Sequence, residues 1–151
     1  MRRSLVPLAV AALFLLAASS CASSASSPEL PEVECDSVVD AVMVPWATGD
    51  AVDVDAIYDP AVRMVVDGDV VATDRAELTA IIVDAVDGGN GNTYTPVGPC
   101  SGYLATDGDT YISSLVNVGG RGHPAGVPVV AFYRVRDGLV IRHVAMDAVH
   151  Y

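Results

Sequence analysis

Val129-Val130-Ala131-Phe132-Tyr133-Arg134-Val135-Arg136-Asp137-Gly138-Leu139-Val140-Ile141-Arg142-His143-Val144-Ala145-Met146 is the stretch whose reading decides the fold. Two β-branched and aromatic runs flank Asp137-Gly138, the dipeptide preferred where a two-residue type I′ turn demands positive φ at both positions. A long hairpin over residues 127–148 is therefore expected. With that turn Phe132 stands opposite His143, and alternation sorts the side chains onto two faces. One face carries Val129, Ala131, Tyr133, Val135, Val140, Val144 and Met146, and the other carries Phe132, His143 and, further along, Asp147. The first face is the more apolar. Alternation alone leaves two arrangements open. Either His143 and Asp147 border a pocket, or the apolar face lies under the rest of the chain and the pair is solvated or in a dimer contact.

The elements before this hairpin say what covers it. Residues 36–48 place Val38, Val39, Val42, Met43 and Trp46 at helical spacing, with Asp36 or Ser37 as N-cap and Pro45 as a kink or stop. A short helix is expected over residues 51–58, closed by Asp59-Pro60, and then a small hairpin, 62–67 and 70–73, around Gly68-Asp69. Asp74 with Glu77 has the spacing of a capping box, and Leu78, Ile81, Ile82, Ala85 and Val86 continue it as one apolar stripe. The glycine-rich run at residues 88–92 ends this helix instead of opening one, so it is no phosphate cradle. Residues 93–106, broken by Pro96, Gly98 and Pro99, read as a bent or edge strand that returns through Asp107-Gly108-Asp109 along 110–118. A ten-residue loop, 119–128, holding Arg121 and His123, leads into the final hairpin. Helices first and long antiparallel strands afterwards make an α+β domain whose curved sheet leaves a concave pocket under the helices.

The first fifth of the chain is spent on targeting. Met1-Arg2-Arg3 is basic, residues 5–18 are apolar but for Pro7, and Ser19-Ser20 lead into Cys21. Fourteen apolar residues fall short of the roughly 20 that span a bilayer, so residues 1–20 are expected to be a signal peptide. Ala18-Ser19-Ser20-Cys21 resembles the lipobox of bacterial lipoproteins, although Ala18 stands where leucine is usual. That resemblance implies a diacylated Cys21 at the outer face of the cytoplasmic membrane, with plain secretion as the alternative. Residues 21–34, small, polar and proline-containing, read as a tether to a domain at 35–151. Cys35 and Cys100 remain, in a compartment that permits disulfides, and are expected to be bonded to each other.

The chain has no lysine, and without Arg2 and Arg3 six arginines face 19 acidic residues, a net charge of about −13. Such a balance argues against nucleic acid and against adsorption to anionic lipid head groups. His123, His143 and His150 lack any paired spacing, so no metal is expected, and no motif points to a cofactor. No Gly-x-Ser-x-Gly segment is present.

Several segments, in order, resemble the NTF2-like superfamily and its SnoaL-like branch. They are Trp46-Ala47-Thr48-Gly49-Asp50, Asp55-Ala56-Ile57-Tyr58-Asp59-Pro60, Asp74-Arg75-Ala76-Glu77-Leu78, and the run from Phe132 through His143. The resemblance covers residues 35–148 and implies a cone, an antiparallel sheet curved around about three N-terminal helices. It does not imply one activity, because this fold hosts isomerases, dehydratases, cyclases and members without catalysis. SnoaL-type cyclases often show Glu-His-Trp-Asp on the last strand, where this chain has Arg142-His143-Val144-Ala145; the histidine is kept and the acid is not. In ketosteroid-isomerase-like members the base is an aspartate at the place where this chain has Val66, with Asp67 one residue late.

The candidate catalytic pair is thus His143 with Asp147, since a histidine held by a carboxylate can work as a general base near neutral pH. Trp46, Tyr58 and Phe132 are the candidate ligand-binding aromatics. The expected function is non-catalytic binding of a small apolar ligand or a protein partner by a lipid-anchored extracytoplasmic domain. The alternatives are a cyclase or isomerase using His143 and Asp147, and an accessory protein whose sheet pairs with itself or another chain.

Overall fold

The computed structural model describes residues 34–87, 93–120 and 123–148. The expected signal peptide, Cys21, nearly all of the tether, the 88–92 run, Arg121 and His150 lie outside the described residues. Three helices come first, α1 (Asp36–Thr48), α2 (Ala51–Ile57) and, after the β1 (Tyr58–Val66) and β2 (Asp69–Ala72) hairpin, α3 (Arg75–Asp87). Five strands follow, β3 (Thr93–Pro96), β4 (Ser101–Leu104), β5 (Thr110–Gly120), β6 (His123–Arg136) and β7 (Leu139–Asp147). The seven-stranded sheet runs β2-β1-β7-β6-β5-β3, with β4 also on β5. The helices pack on one side of this curved, unclosed sheet, the expected α+β cone.

Local chemistry explains most of these boundaries. Asp67 and Asp137 take φ of 50° ahead of Gly68 at 94° and Gly138 at 81°, the paired positive values that the two Asp-Gly hairpins require. α1 runs through Pro45 to Gly49, which closes it in the left-handed region (φ 71°) and donates its N–H to the Pro45 carbonyl. At α3 the Glu77 amide bonds Asp74 Oδ1 at 2.9 Å, while the Glu77 carboxylate reaches back to the Thr73 amide at 2.7 Å, a capping box displaced by one residue.

Four expectations are corrected. The sheet is mixed, because β1 lies parallel to β7, with Arg63 beside Arg142 and Met64 beside His143. α2 ends one residue earlier than expected, at Ile57 with Tyr58 as its C-cap, and Tyr58, Asp59 and Pro60 open β1. The bent strand expected over residues 93–106 is two short strands, both paired to β5. Residues expected to loop between 119 and 128 are mostly strand, with Val118 paired to Val127 and Gly120 to His123.

The core joins both layers. Val39, Val42 and Trp46 of α1, Val54 of α2 and Leu78 and Ile82 of α3 close onto Tyr58, Val62, Ile112, Val116, Ala131, Tyr133 and Val140 of the sheet. Each large apolar side chain so buried contributes about 1.5–3 kcal/mol. The Cys35–Cys100 disulfide, with Cα atoms 6.1 Å apart, ties the start of α1 to the β3–β4 connection.

Candidate functional site

One irregularity in the final hairpin decides what the cone contains. Pairing starts in the register of a two-residue turn, Arg136 with Leu139 and Val135 with Val140, but the next pair is Arg134 with Arg142. Ile141 is an extra residue, a β-bulge, and beyond it every side chain of β7 changes face relative to the simple register. His143 therefore stands opposite Tyr133, and Phe132 opposite Val144. The expected pairing of Phe132 with His143 does not form, and neither of the two arrangements left open by alternation is quite the observed one. The apolar face of β6 is indeed under the helices, yet the bulge carries His143 onto it.

A cavity of about 200 Å³ opens between α1 and this inner face. Met43 and Trp46 of α1, Met64 of β1, Tyr94 of β3, Tyr133 of β6 and His143 of β7 line it, with valines and alanines between them. His143 is only 4% exposed. Its ring packs 4.8 Å from that of Tyr133, centroid to centroid, and stands edge-on to Trp46 at 6.1 Å.

Three of these side chains form a hydrogen-bonded row. The Trp46 indole N–H donates to Tyr58 Oη at 3.1 Å, and Tyr58 Oη lies 3.2 Å from His143 Nδ1. The Tyr58 and His143 rings are nearly parallel, their planes 12° apart. Burial holds the His143 pKa down to about 4, so the ring is neutral at physiological pH. Burial also pushes the hydroxyls of Tyr58 and Tyr133 far above the ordinary tyrosine range, and both stay protonated. The Tyr133 and Ser114 hydroxyls are both buried; neither makes a hydrogen bond of normal geometry among the described residues, but Ser114 acts on Tyr133 closely enough to offset part of its upward shift.

The residues singled out from the sequence divide accordingly. Trp46 and His143 line the cavity, and Tyr58, fully buried behind them, connects the two. Phe132 is on the outer face, 41% exposed. Asp147 is four residues beyond His143, about 13 Å along the strand at an ordinary strand rise, and its amide bonds Asp67 Oδ1 at 2.9 Å. No carboxylate borders the cavity among the described residues. Val66 follows Met64 on β1, and Asp67 lies in the turn, so the ketosteroid-isomerase position carries no acid. Met43, Met64 and Tyr94 were not singled out. Tyr133 was read as apolar filling; its phase with Val129 and Ala131 was visible, but its pairing with a histidine depends on the bulge.

A mixed sheet curling around three helices is found in many solved structures. A candidate dehydratase of the NTF2-like family from Streptomyces avermitilis superposes with a TM-score of 0.60 at 19% identity, over 74% of this chain and 91% of that one. The fold is NTF2-like. A candidate isomerase of the SnoaL-like family from Agrobacterium tumefaciens shares the NTF2-like cone at a TM-score of 0.56 and 14% identity, covering 74% of this chain and 94% of its own. A candidate polyketide cyclase from Sinorhizobium meliloti does so at 0.53 and 14%, covering 72% and 93%. At such identities the likeness concerns the NTF2-like backbone alone. No protein-family model matches the chain, and no curated protein matches its sequence.

Proposed function

We propose that this domain binds a small, uncharged, mostly apolar molecule inside the cone, without turning it over. The observation that carries the reading is the cavity itself, about 200 Å³, apolar but for His143 and two tyrosines, with no charged side chain among its described lining. Ligand sites typically run to about 300–1,000 Å³, so this one suits a monocyclic molecule. Titration of the purified full-length chain with ethylbenzene, followed through Trp46 fluorescence, tests it. Saturable quenching lost in Ala131→Phe, which fills the cavity, is the expected result, and no saturable signal in the wild type overturns the reading.

The names of the structural neighbours, dehydratase, isomerase and cyclase, keep an enzyme as the second reading. Proton transfer by His143 and Asp147 has less support. The two are about 13 Å apart along β7, and a histidine with a pKa of about 4 holds a proton poorly near neutrality.

Attachment to the outer face of the cytoplasmic membrane through a lipidated Cys21 belongs to the same proposal. The basic start, apolar run and small residues before Cys21 support it. So does the Cys35–Cys100 bond, a feature of oxidising compartments. Transfer of the protein from membrane to soluble fraction in Cys21→Ser is the expected outcome. The protein-partner part of the reading rests on the outer sheet face, where Tyr103 and Phe132 are exposed; sedimentation of the full chain against Phe132→Ser tests for a homodimer.

A further inference from the structure

The row Trp46–Tyr58–His143 settles which way its protons point. An indole N–H can only donate, so Tyr58 Oη accepts from Trp46. The Tyr58 proton, fully buried, then needs an acceptor, and His143 Nδ1 at 3.2 Å supplies it. The reverse, with Nδ1–H donating to Tyr58, would aim two donors at one oxygen and leave the Tyr58 hydroxyl proton without a partner in the core. The neutral His143 ring consequently carries its hydrogen on Nε2. Among the described residues no protein acceptor meets that Nε2–H, and His143 lines the cavity.

Tyr133 adds a second donor. It lines the same cavity, packs against His143 and is 1% exposed; its hydroxyl makes no hydrogen bond of normal geometry among the described residues, and the one side-chain group acting on it is the Ser114 hydroxyl, which can itself donate or accept. No arginine lies in the described lining to neutralise an anion and no carboxylate to hold a cation, so a charged ligand would be desolvated there without compensation.

We propose that the cavity selects uncharged ligands bearing a hydrogen-bond acceptor, such as a carbonyl oxygen, which His143 Nε2–H and the Tyr133 hydroxyl read, while Trp46 and Tyr58 act as positioning residues that fix the His143 tautomer. The inference rests on the ligand-binding reading above and names the class of ligand. A molecule of the same shape without the acceptor leaves buried donors unmet, which weakens binding by about 10-fold or more.

The test compares acetophenone with α-methylstyrene, in which the carbonyl oxygen is replaced by a methylene, and with benzoate, all by titration of the full-length chain. Acetophenone is expected to bind about 10-fold or more tighter than α-methylstyrene, and benzoate more weakly than either. Tyr133→Phe is expected to shrink the acetophenone advantage with little change for α-methylstyrene. Equal affinities for the neutral pair overturn the acceptor inference and leave ligand binding standing. Binding of none overturns both. The ring ¹⁵N shifts of His143 in the ligand-free protein give an independent readout, with a protonated Nε2 expected and a protonated Nδ1 overturning the tautomer assignment.

Discussion

Acidification should unfold this domain through His143 ahead of the general loss of its carboxylate pairs. In the unfolded chain a histidine titrates near 6.5, whereas burial holds folded His143 at about 4. The titratable side chains packed on it, Tyr58 and Tyr133, are uncharged throughout this range. Between the two values the unfolded state binds the proton and the folded state does not, so stability rises with pH there. The contribution is whole above pH 6.5. It falls by about 2 kcal/mol at pH 5 and by about 3 kcal/mol at pH 4, a large share of the 5–15 kcal/mol typical of a domain. Urea titrations read by the single tryptophan, Trp46, should show this as a midpoint lower by about 1 M at pH 5 than at pH 7.5. His143→Gln, which cannot titrate, isolates the effect from all other groups. The difference in stability between wild type and variant should slope steadily from pH 6.5 to 4, with wild type losing ground as the pH falls. A flat difference would mean that His143 titrates alike in both states, and the buried neutral ring on which the site rests would be refuted.

Other perturbations follow from the same geometry. Tyr58→Phe leaves the Trp46 N–H and His143 Nδ1 buried without their shared partner and should destabilise by about 1–3 kcal/mol in urea unfolding. Reduction of Cys35–Cys100 should lower stability by about 4 kcal/mol, from the chain entropy of a long loop; peptide mass analysis without reduction should show the linked pair. Asp109 receives Arg136 and Arg134, whose hydrogen bonds hold its carboxyl below the usual carboxylate range. Asp109→Asn should therefore lower the urea midpoint at pH 7, and the deficit should vanish as acid protonates wild-type Asp109. Gly49→Ala should cost about 1 kcal/mol or more from its left-handed backbone, because φ is 71° and a new Cβ would meet Val86 at 3.0 Å; thermal unfolding measures it.

How much of the site was legible follows from where each feature's cause lies. The turn at Asp137-Gly138, the cap at Asp74 and the helical stripe through Leu78 and Ile82 are set by residues within a turn or two of one another, so the amino-acid order was enough. The order of helices and strands implied an α+β domain with a concave pocket, the resemblance of several segments implied a cone, and the aromatic residues Trp46 and Tyr58 were visible candidates. Asp147 was chosen for lying on the same strand face as His143, but sharing a face is not contact. Four residues of extended chain separate the two by more than any hydrogen bond can span.

By itself the sequence determined the three helices, the Asp137-Gly138 hairpin, the cysteine pair and the acidic, lysine-free composition, all of them consequences of local backbone preference or composition; the first hairpin was expected around Gly68-Asp69, one residue past its Asp67-Gly68 turn. Only the tertiary structure decided that His143 faces inward. The extra residue at Ile141 takes its meaning from pairing with β6 on one side and with β1, in parallel, on the other, and no local rule records either partner. A one-residue shift in a strand reverses every side chain beyond it. That reversal set His143 against Tyr133 and within reach of Tyr58, and sent Phe132 to the outside.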